Sequence, residues 1–233
     1  EITWKVNYYS KKEKKLSPLL KFERSGKNLL VIDNFAKMYL INTSDGKLIW
    51  KTEHNASLIS QIKIEDNKFY VLDANNTFYC YSLLDGTKLW NFVGKKKLIN
   101  SQKQTSIVIN NESVIFNNTR GEIISLDKFN GNLNWITSTM EYGESLQSFL
   151  IKNSDLVLDE NNLYFSNNNN SFISVDINLG FINWKQDISS YLRPVIIGNI
   201  ILTISQKGYL YILEKDTGNI IRITDLFYNL NPK

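Results

Sequence analysis

The chain is poor in the residues that most often carry chemistry. Its 233 residues include one cysteine, one histidine, two methionines and three prolines. With Cys80 alone, no intramolecular disulfide can form. Cys80 lies inside an apolar strand pattern, where a thiol behaves as a small apolar side chain. A single cysteine leaves the compartment open, because an exported domain with an adequate core needs no disulfide. His54 has no Cys or Ser companion at a spacing that suggests a catalytic set, and it reads as a turn residue. No apolar run approaches the length of a membrane-spanning helix, so none is expected. No signal peptide is legible either. Glu1 to Trp4 already reads as the end of a repeat, so the natural N-terminus is expected to lie upstream. The net charge of +4 is spread over scattered lysines, and no nucleic-acid partner is expected. The basic run Lys95-Lys96-Lys97 falls between repeats and reads as a solvated loop.

Aromatic residues make up 12% of the chain and hydrophobic residues 42%, which suits strands around a real core rather than a disordered chain. One pattern recurs five times. It is clearest at residues 66–93 (DNKFYVLDANNTFYCYSLLDGTKLWNFV) and returns at 26–53, 111–138, 160–187 and 198–225. Each copy ends in an apolar-x-apolar stretch, a turn with Gly46, Gly86, Gly131, Gly180 or Gly218, and a bulky residue four positions later. That residue is Trp50, Trp90, Trp135 and Trp184 in turn, with Arg222 in the fifth copy. A repeat of this kind outranks any single-residue reading.

Within a copy, an apolar strand such as Phe69 to Leu72 leads through an Asn- or Gly-rich turn to a second, such as Phe78 to Tyr81. A glycine turn then leads to a third strand that ends in Trp. The stretches between copies (Ser60 to Ile64, Ser106 to Ile109, Leu156 to Leu158, Val195 to Ile197) supply a fourth strand. The turn glycines recur every 38 to 49 residues, and four antiparallel strands at that period are the arithmetic of a β-propeller blade. The expectation is an all-β, single-domain chain over 1–233, with blades at 16–54, 57–94, 98–139, 146–188 and 189–226. Residues 1–7, with Trp4 in the docking position, would be the last strand of a preceding blade. Leu16, Pro18, Leu19, Leu20 and Phe22 would begin the next one. Five blades and a remnant imply an incomplete ring, a section of an eight-bladed propeller with open edges. The longest helical candidate, Glu144 to Ile151, is short.

A Trp at one place in every copy reads as a structural bolt, its ring between neighbouring blades and its indole N–H on a backbone acceptor. A ligand site would need one such residue rather than one per blade. Trp4, Trp50, Trp90, Trp135 and Trp184 are therefore assigned to blade docking. Arg222 can cover apolar surface with its stem, and its joint should be the weakest. The run Asp-x-x-(Asp/Thr)-Gly-x-x-x-Trp, fitted by Asp127 to Trp135 and Asp176 to Trp184, resembles the repeat of PQQ-type β-propellers. Glu214 replaces the first Asp in the fifth copy, and Leu179 departs from the usual turn residue. Among such propellers the chain is similar to the BamB-type lipoproteins of the outer-membrane β-barrel assembly machinery.

That resemblance implies a non-enzymatic scaffold at the periplasmic face of the outer membrane. It would be lipid-anchored by a segment absent from this chain and would dock the barrel-forming subunit through inter-blade loops. No cofactor is expected. A Leu-Arg element before a blade's first strand belongs to the family's contact surface, and Leu192-Arg193 stands at such a place. Two other functions are attached to related repeats. Quinoprotein dehydrogenases use a quinone, Ca²⁺ and, in many members, a vicinal cysteine pair, which Cys80 alone cannot form. The acidic residues Asp155, Asp159 and Glu160 lack the ligand spacing of a known calcium loop and read as a solvated linker. The luminal sensor domain of a stress kinase is the other alternative. The sequons at Asn55, Asn75, Asn111, Asn117 and Asn169 would then carry glycans, although a chain this rich in Asn produces sequons by chance.

Overall fold

The computed structural model describes residues 2–95, 105–118, 120–139 and 152–228. The first sheet holds β1 (Leu20–Ser25), β2 (Asn28–Asp33), β3 (Lys37–Asn42) and β4 (Leu48–Glu53). The second holds β5 (Lys63–Glu65), β6 (Lys68–Leu72), β7 (Thr77–Ser82) and β8 (Lys88–Val93). The third is β9 (Ile107–Ile109), β10 (Ser113–Asn117), β11 (Glu122–Asp127) and β12 (Leu133–Ser138). The fourth is β13 (Val157–Asp159), β14 (Asn162–Asn167), β15 (Ser171–Asp176) and β16 (Ile182–Gln186). The fifth is β17 (Val195–Ile197), β18 (Ile200–Ile204), β19 (Tyr209–Glu214) and β20 (Ile220–Asp225). Every sheet is antiparallel, with its four strands side by side in chain order. Among the described residues no helix is long and apolar enough to cross a membrane.

Two places before β1 differ from the sequence expectation. Residues 2–7 form no strand, and among the described residues no neighbouring strand offers them a ladder. The stretch from Leu16 does not enter the first sheet until Leu20. Pro18 has no N–H to give a ladder, and Ser17 has a φ of 50°, which breaks the extended run. Just upstream, α1 (Lys11–Lys14) is held by a capping box between Ser10 and Glu13. The helical candidate at Glu144 to Ile151 lies outside the described residues, as do Lys96 and Lys97 of the basic run.

The chain divides into two compact units, Glu1–Lys97 and Leu98–Lys233. In the first unit, Leu30, Ile32, Met38 and Leu40 face the second sheet and meet Phe69, Val71, Tyr81 and Leu83. Their alternates Val31, Tyr39 and Ile41 point the other way, onto Tyr8 and Tyr9. Both faces of the middle strands are thus covered, which is why they are apolar at nearly every position. The second unit repeats the scheme. Ile115, Ile123 and Trp135 pack on Leu163, Phe165 and Val175, and Tyr164, Phe172 and Trp184 pack on Ile201 and Leu213. Burying one such side chain stabilises the fold by about 1.5–3 kcal/mol.

The joints between sheets share one construction. Leu40 pairs with Trp50 and Ile41 with Leu48, leaving Ile49 as an extra residue in β4. The same register shift recurs between the third and fourth strands of the other four sheets. A bulge at this place re-aims the next side chain. Trp50 Nε1 donates to Leu83 O at 2.9 Å, Trp135 Nε1 to Ile177 O at 2.8 Å, and Trp184 Nε1 to Lys215 O at 3.0 Å. Trp4 does the same to Thr43 O at 2.8 Å, although it stands in no strand. Trp90 differs. Its ring lies near Tyr70 and Phe78 of its own sheet, and its buried Nε1 has no acceptor among the described residues. Arg222, opposite Ile212, is exposed.

Each docked ring lies over the glycine of the turn it bonds to. At Gly218 a Cβ would stand 2.5 Å from Trp184 Cδ2, and the backbone φ is +72°. Glycine is required there on both counts, since any side chain would meet the ring and strain the left-handed backbone. Gly198 has a similar φ of +54° but nothing within 4 Å. Gly218→Ala should therefore cost about 2–4 kcal/mol, backbone strain plus overpacking. Gly198→Ala should cost only about 1 kcal/mol. Denaturant titration of the two variants checks this: equal losses would remove the ring contact from the explanation.

Candidate partner-binding loop

Between β16 and β17 the chain makes a tight, anchored excursion. Ile188 is buried in the core shared by the fourth and fifth sheets. Ser189 Oγ donates to Asn168 O at 2.8 Å, and Ser189 O accepts from Gln206 N at 2.9 Å. Ser190 is fully buried. Its N–H donates to Asn167 O at 3.0 Å and its Oγ to Ile204 O at 2.8 Å, while Thr203 Oγ1 donates to that Oγ at 3.1 Å. These bonds tie the excursion to the β14–β15 turn on one side and to the end of β18 on the other. Pro194 is buried and sets the chain into β17.

Between the anchors, Tyr191, Leu192 and Arg193 project outward. Tyr191 is 37% exposed and Leu192 47%, and Arg193 is also exposed. Leu192 N donates to Ser190 Oγ at 3.3 Å, so the backbone at the tip is held while its side chains are exposed. Lys152 Nζ stands 5.3 Å from the centre of the Tyr191 ring, an attractive cation–π distance. The sequence expectation named Leu192 and Arg193, and the structure brings them together at one tip. It adds Tyr191, whose neighbourhood was not legible because Lys152 lies far away in sequence.

Other residues singled out from the sequence are occupied in the frame. His54 is not an exposed turn residue: its side chain is 8% exposed, closed in by aromatic rings of the second sheet. His54 Nε2 lies 3.3 Å from Asp73 Oδ2 and its Nδ1 2.7 Å from the Tyr81 hydroxyl, so both ring nitrogens are hydrogen-bonded. Tyr79 lies edge-on to the imidazole at 4.5 Å and donates to the same carboxylate oxygen at 3.3 Å. Burial pushes the Tyr81 phenol well above its ordinary range. Asp159 and Glu160 are not simply solvated. They accept from Lys215 Nζ at 3.0 and 3.3 Å, and those bonds hold the ammonium protonated well above the usual lysine range. Cys80 is fully buried in β7, and desolvation pushes its thiol up to about 11. Leu179 leaves its turn intact: Gly180 N still donates to Asp176 O at 2.8 Å, and Leu179 itself is exposed.

These residues do not fit a quinone with Ca²⁺. Two of the three carboxylates of the linker cluster, Asp159 and Glu160, are engaged by Lys215, the sole thiol is sealed in a core strand, and four of the five indoles are bonded to turn carbonyls. Of the sequons, Asn117 is buried, whereas Asn55, Asn75, Asn111 and Asn169 are exposed.

The comparisons with known proteins agree with this architecture. A family model described as outer membrane protein assembly factor BamB matches residues 1–224. No curated protein matches the sequence. Among solved structures, BamB from Moraxella catarrhalis superposes with a TM-score of 0.73 at 14% identity, over 88% of this chain and 63% of that one. The computationally designed Ika8 protein follows at a TM-score of 0.69 and 14% identity, over 88% and 61%. Quinohemoprotein alcohol dehydrogenase from Comamonas testosteroni gives a TM-score of 0.66 at 13% identity, over 88% and 42%. The chain therefore spans less than two thirds of each of these structures. Likeness at such identities establishes the fold, a β-propeller of four-stranded antiparallel blades. With the sequence model matched over residues 1–224, the chain belongs to the BamB family of PQQ-type repeat proteins.

Proposed function

We propose that this chain is a non-enzymatic docking scaffold of outer-membrane β-barrel assembly, working at the periplasmic face of the outer membrane. Its partner is the barrel-forming subunit, and a lipid anchor outside this chain holds the assembly to the membrane. The observation that carries the reading is the tip Tyr191–Leu192–Arg193. An aromatic ring, an aliphatic side chain and a guanidinium stand exposed on a backbone immobilised by the buried Ser190. Aromatic and Arg anchors dominate binding energy, and a pre-ordered loop loses little entropy on docking. The family match supports the partner class, since the matched model describes an assembly factor. On the same reading the five blades are a section of a larger, eight-bladed ring. The chain's coverage of 63% of the Moraxella structure supports this.

Binding of the full protein to the periplasmic domain of the barrel-forming subunit, followed by titration calorimetry, tests the role. The double variant Leu192→Ala/Arg193→Ala should weaken binding by roughly 30-fold, about 2 kcal/mol, if the tip is a hot spot. Both side chains are exposed, so the thermal transition should stay within about 0.5 kcal/mol of the parent. Unchanged binding by the double variant would remove the assignment. A second titration, with the quinone and Ca²⁺, should give no saturable heat, and sub-micromolar binding would overturn the scaffold reading.

A further inference from the structure

An open cleft of about 820 Å³ lies between the third and fourth sheets, at the end where their outer turns meet. Asn110, Asn111 and Glu112 line it from the β9–β10 turn, Asn134 from β12, and Ile177 and Asn178 from the turn after β15. The repeat permits a direct comparison with the next joint. Ile177 O receives the indole N–H of Trp135, and Lys215 O receives that of Trp184, so Ile177 and Lys215 are equivalent positions. Ile177 N donates to Asn161 O at 3.1 Å and Lys128 N to Glu112 O at 3.0 Å, so Glu112 is equivalent to Asn161. It follows that Asn110 and Asn111 stand where Asp159 and Glu160 stand one blade later.

In that later joint the space is filled from within: Lys215 extends across it and gives its ammonium to Asp159 and Glu160. In the earlier joint, Ile177 is too short and apolar to do so. It is buried in the sheet core, and three carboxylates line the cleft with the carboxamides: Asp127, whose Oδ1 already accepts from Phe129 N and Asn130 N, Glu160, which accepts from Lys215, and Glu112. Glu112 has no ion-pair partner among the described residues. Asn110 is occupied, its Oδ1 accepting from Glu112 N and Ser113 N and its backbone O from Lys128 Nζ. We propose that this cleft binds a primary ammonium on an unbranched alkyl stem, with Glu112 as the charged acceptor and the carboxamide oxygens of Asn111 and Asn178 beside it. Such a group reaches the cleft as the side chain of a lysine on a partner's loop or as a free aliphatic diamine. A stem of methylenes follows the apolar wall at Ile177, and the ammonium donates to the acceptors beyond it.

The test uses the whole chain, labelled with nitrogen-15, titrated with butane-1,4-diamine, with the capped peptide acetyl-Gly-Lys-Gly-amide, and with butane-1,4-diol as the uncharged control. The diamine and the peptide should produce saturable shifts at the backbone amides of Asn111, Glu112 and Asn178, and the diol none. The tighter of the two cationic probes identifies the source, a partner lysine or a free diamine, and either order sustains the ammonium assignment. Glu112→Gln should weaken both by about tenfold, the loss of one charge-assisted hydrogen bond. Ile177→Lys should fill the cleft as Lys215 fills the next joint and abolish binding. Should that variant fail to fold, the Glu112→Gln titration decides alone. Binding of the diol as tight as that of the diamine, or unchanged binding by Glu112→Gln, overturns the proposal.

Discussion

An indole set on a glycine turn is the constraint on which the rest of the molecule depends. A Trp ring must lie flat on the next sheet's turn while its N–H reaches the carbonyl three residues before the glycine. That geometry leaves no room for a Cβ at Gly46, Gly180 or Gly218. For Trp50, Trp135 and Trp184, which stand in strands, it also uses the bulge before the Trp, because a regular register would aim the side chain elsewhere. Several features of the sequence follow from this single contact. They include the left-handed turn, the spacing from glycine to Trp, and the doubly apolar middle strands that neighbouring sheets cover.

The polar residues inside the frame serve the frame. Asp33 Oδ1 accepts from Phe35 N and Lys37 N, Asp73 Oδ1 from Asn75 N and Thr77 N, and Asn118 Oδ1 from Arg120 N and Glu122 N. Each closes the turn between the second and third strands of its sheet. Buried hydroxyls act in the same way: Ser60 Oγ accepts from Leu72 N and Ser154 Oγ from Ser166 N. Buried polar groups used like this fix register and leave little reactive chemistry free. The imidazole of His54 is consumed on Asp73 and Tyr81 in that sense. What the frame presents outward includes the anchored tip at Tyr191 to Arg193 and the cleft beside Ile177, the two places where binding is proposed.

Much of the fold was legible in the chain because the repeat is written in turn chemistry and hydrophobic pattern, both of which are local. Gly86 and Trp90 announce a turn and a strand end without reference to anything distant. The first strand was legible as a short apolar stretch at β9, β13 and β17, whereas β1 and β5 begin later than the apolar stretches at Leu16 and Ser60 suggested. What escaped depends on neighbours that are remote in sequence. His54 looked like a turn residue because Asp73 and Tyr81 are 19 and 27 positions away. Asp159 and Glu160 looked solvated because their cation, Lys215, comes from the following blade. The bulge before each Trp leaves no mark in composition, and α1 depends on a capping box only four residues long. At the candidate tip, Leu192 and Arg193 could be named from position alone, but Ser190, which holds the tip in place, could not.

Indole hydrogen exchange tests the central contact most directly. In heavy water the Nε1–H signals of Trp50, Trp135 and Trp184 should persist and be lost together with the amides of Phe69 and Tyr164, at the rate at which the sheets open. Loss of those indole signals at the rate of free tryptophan, while the Phe69 and Tyr164 amides remain protected, would contradict the account.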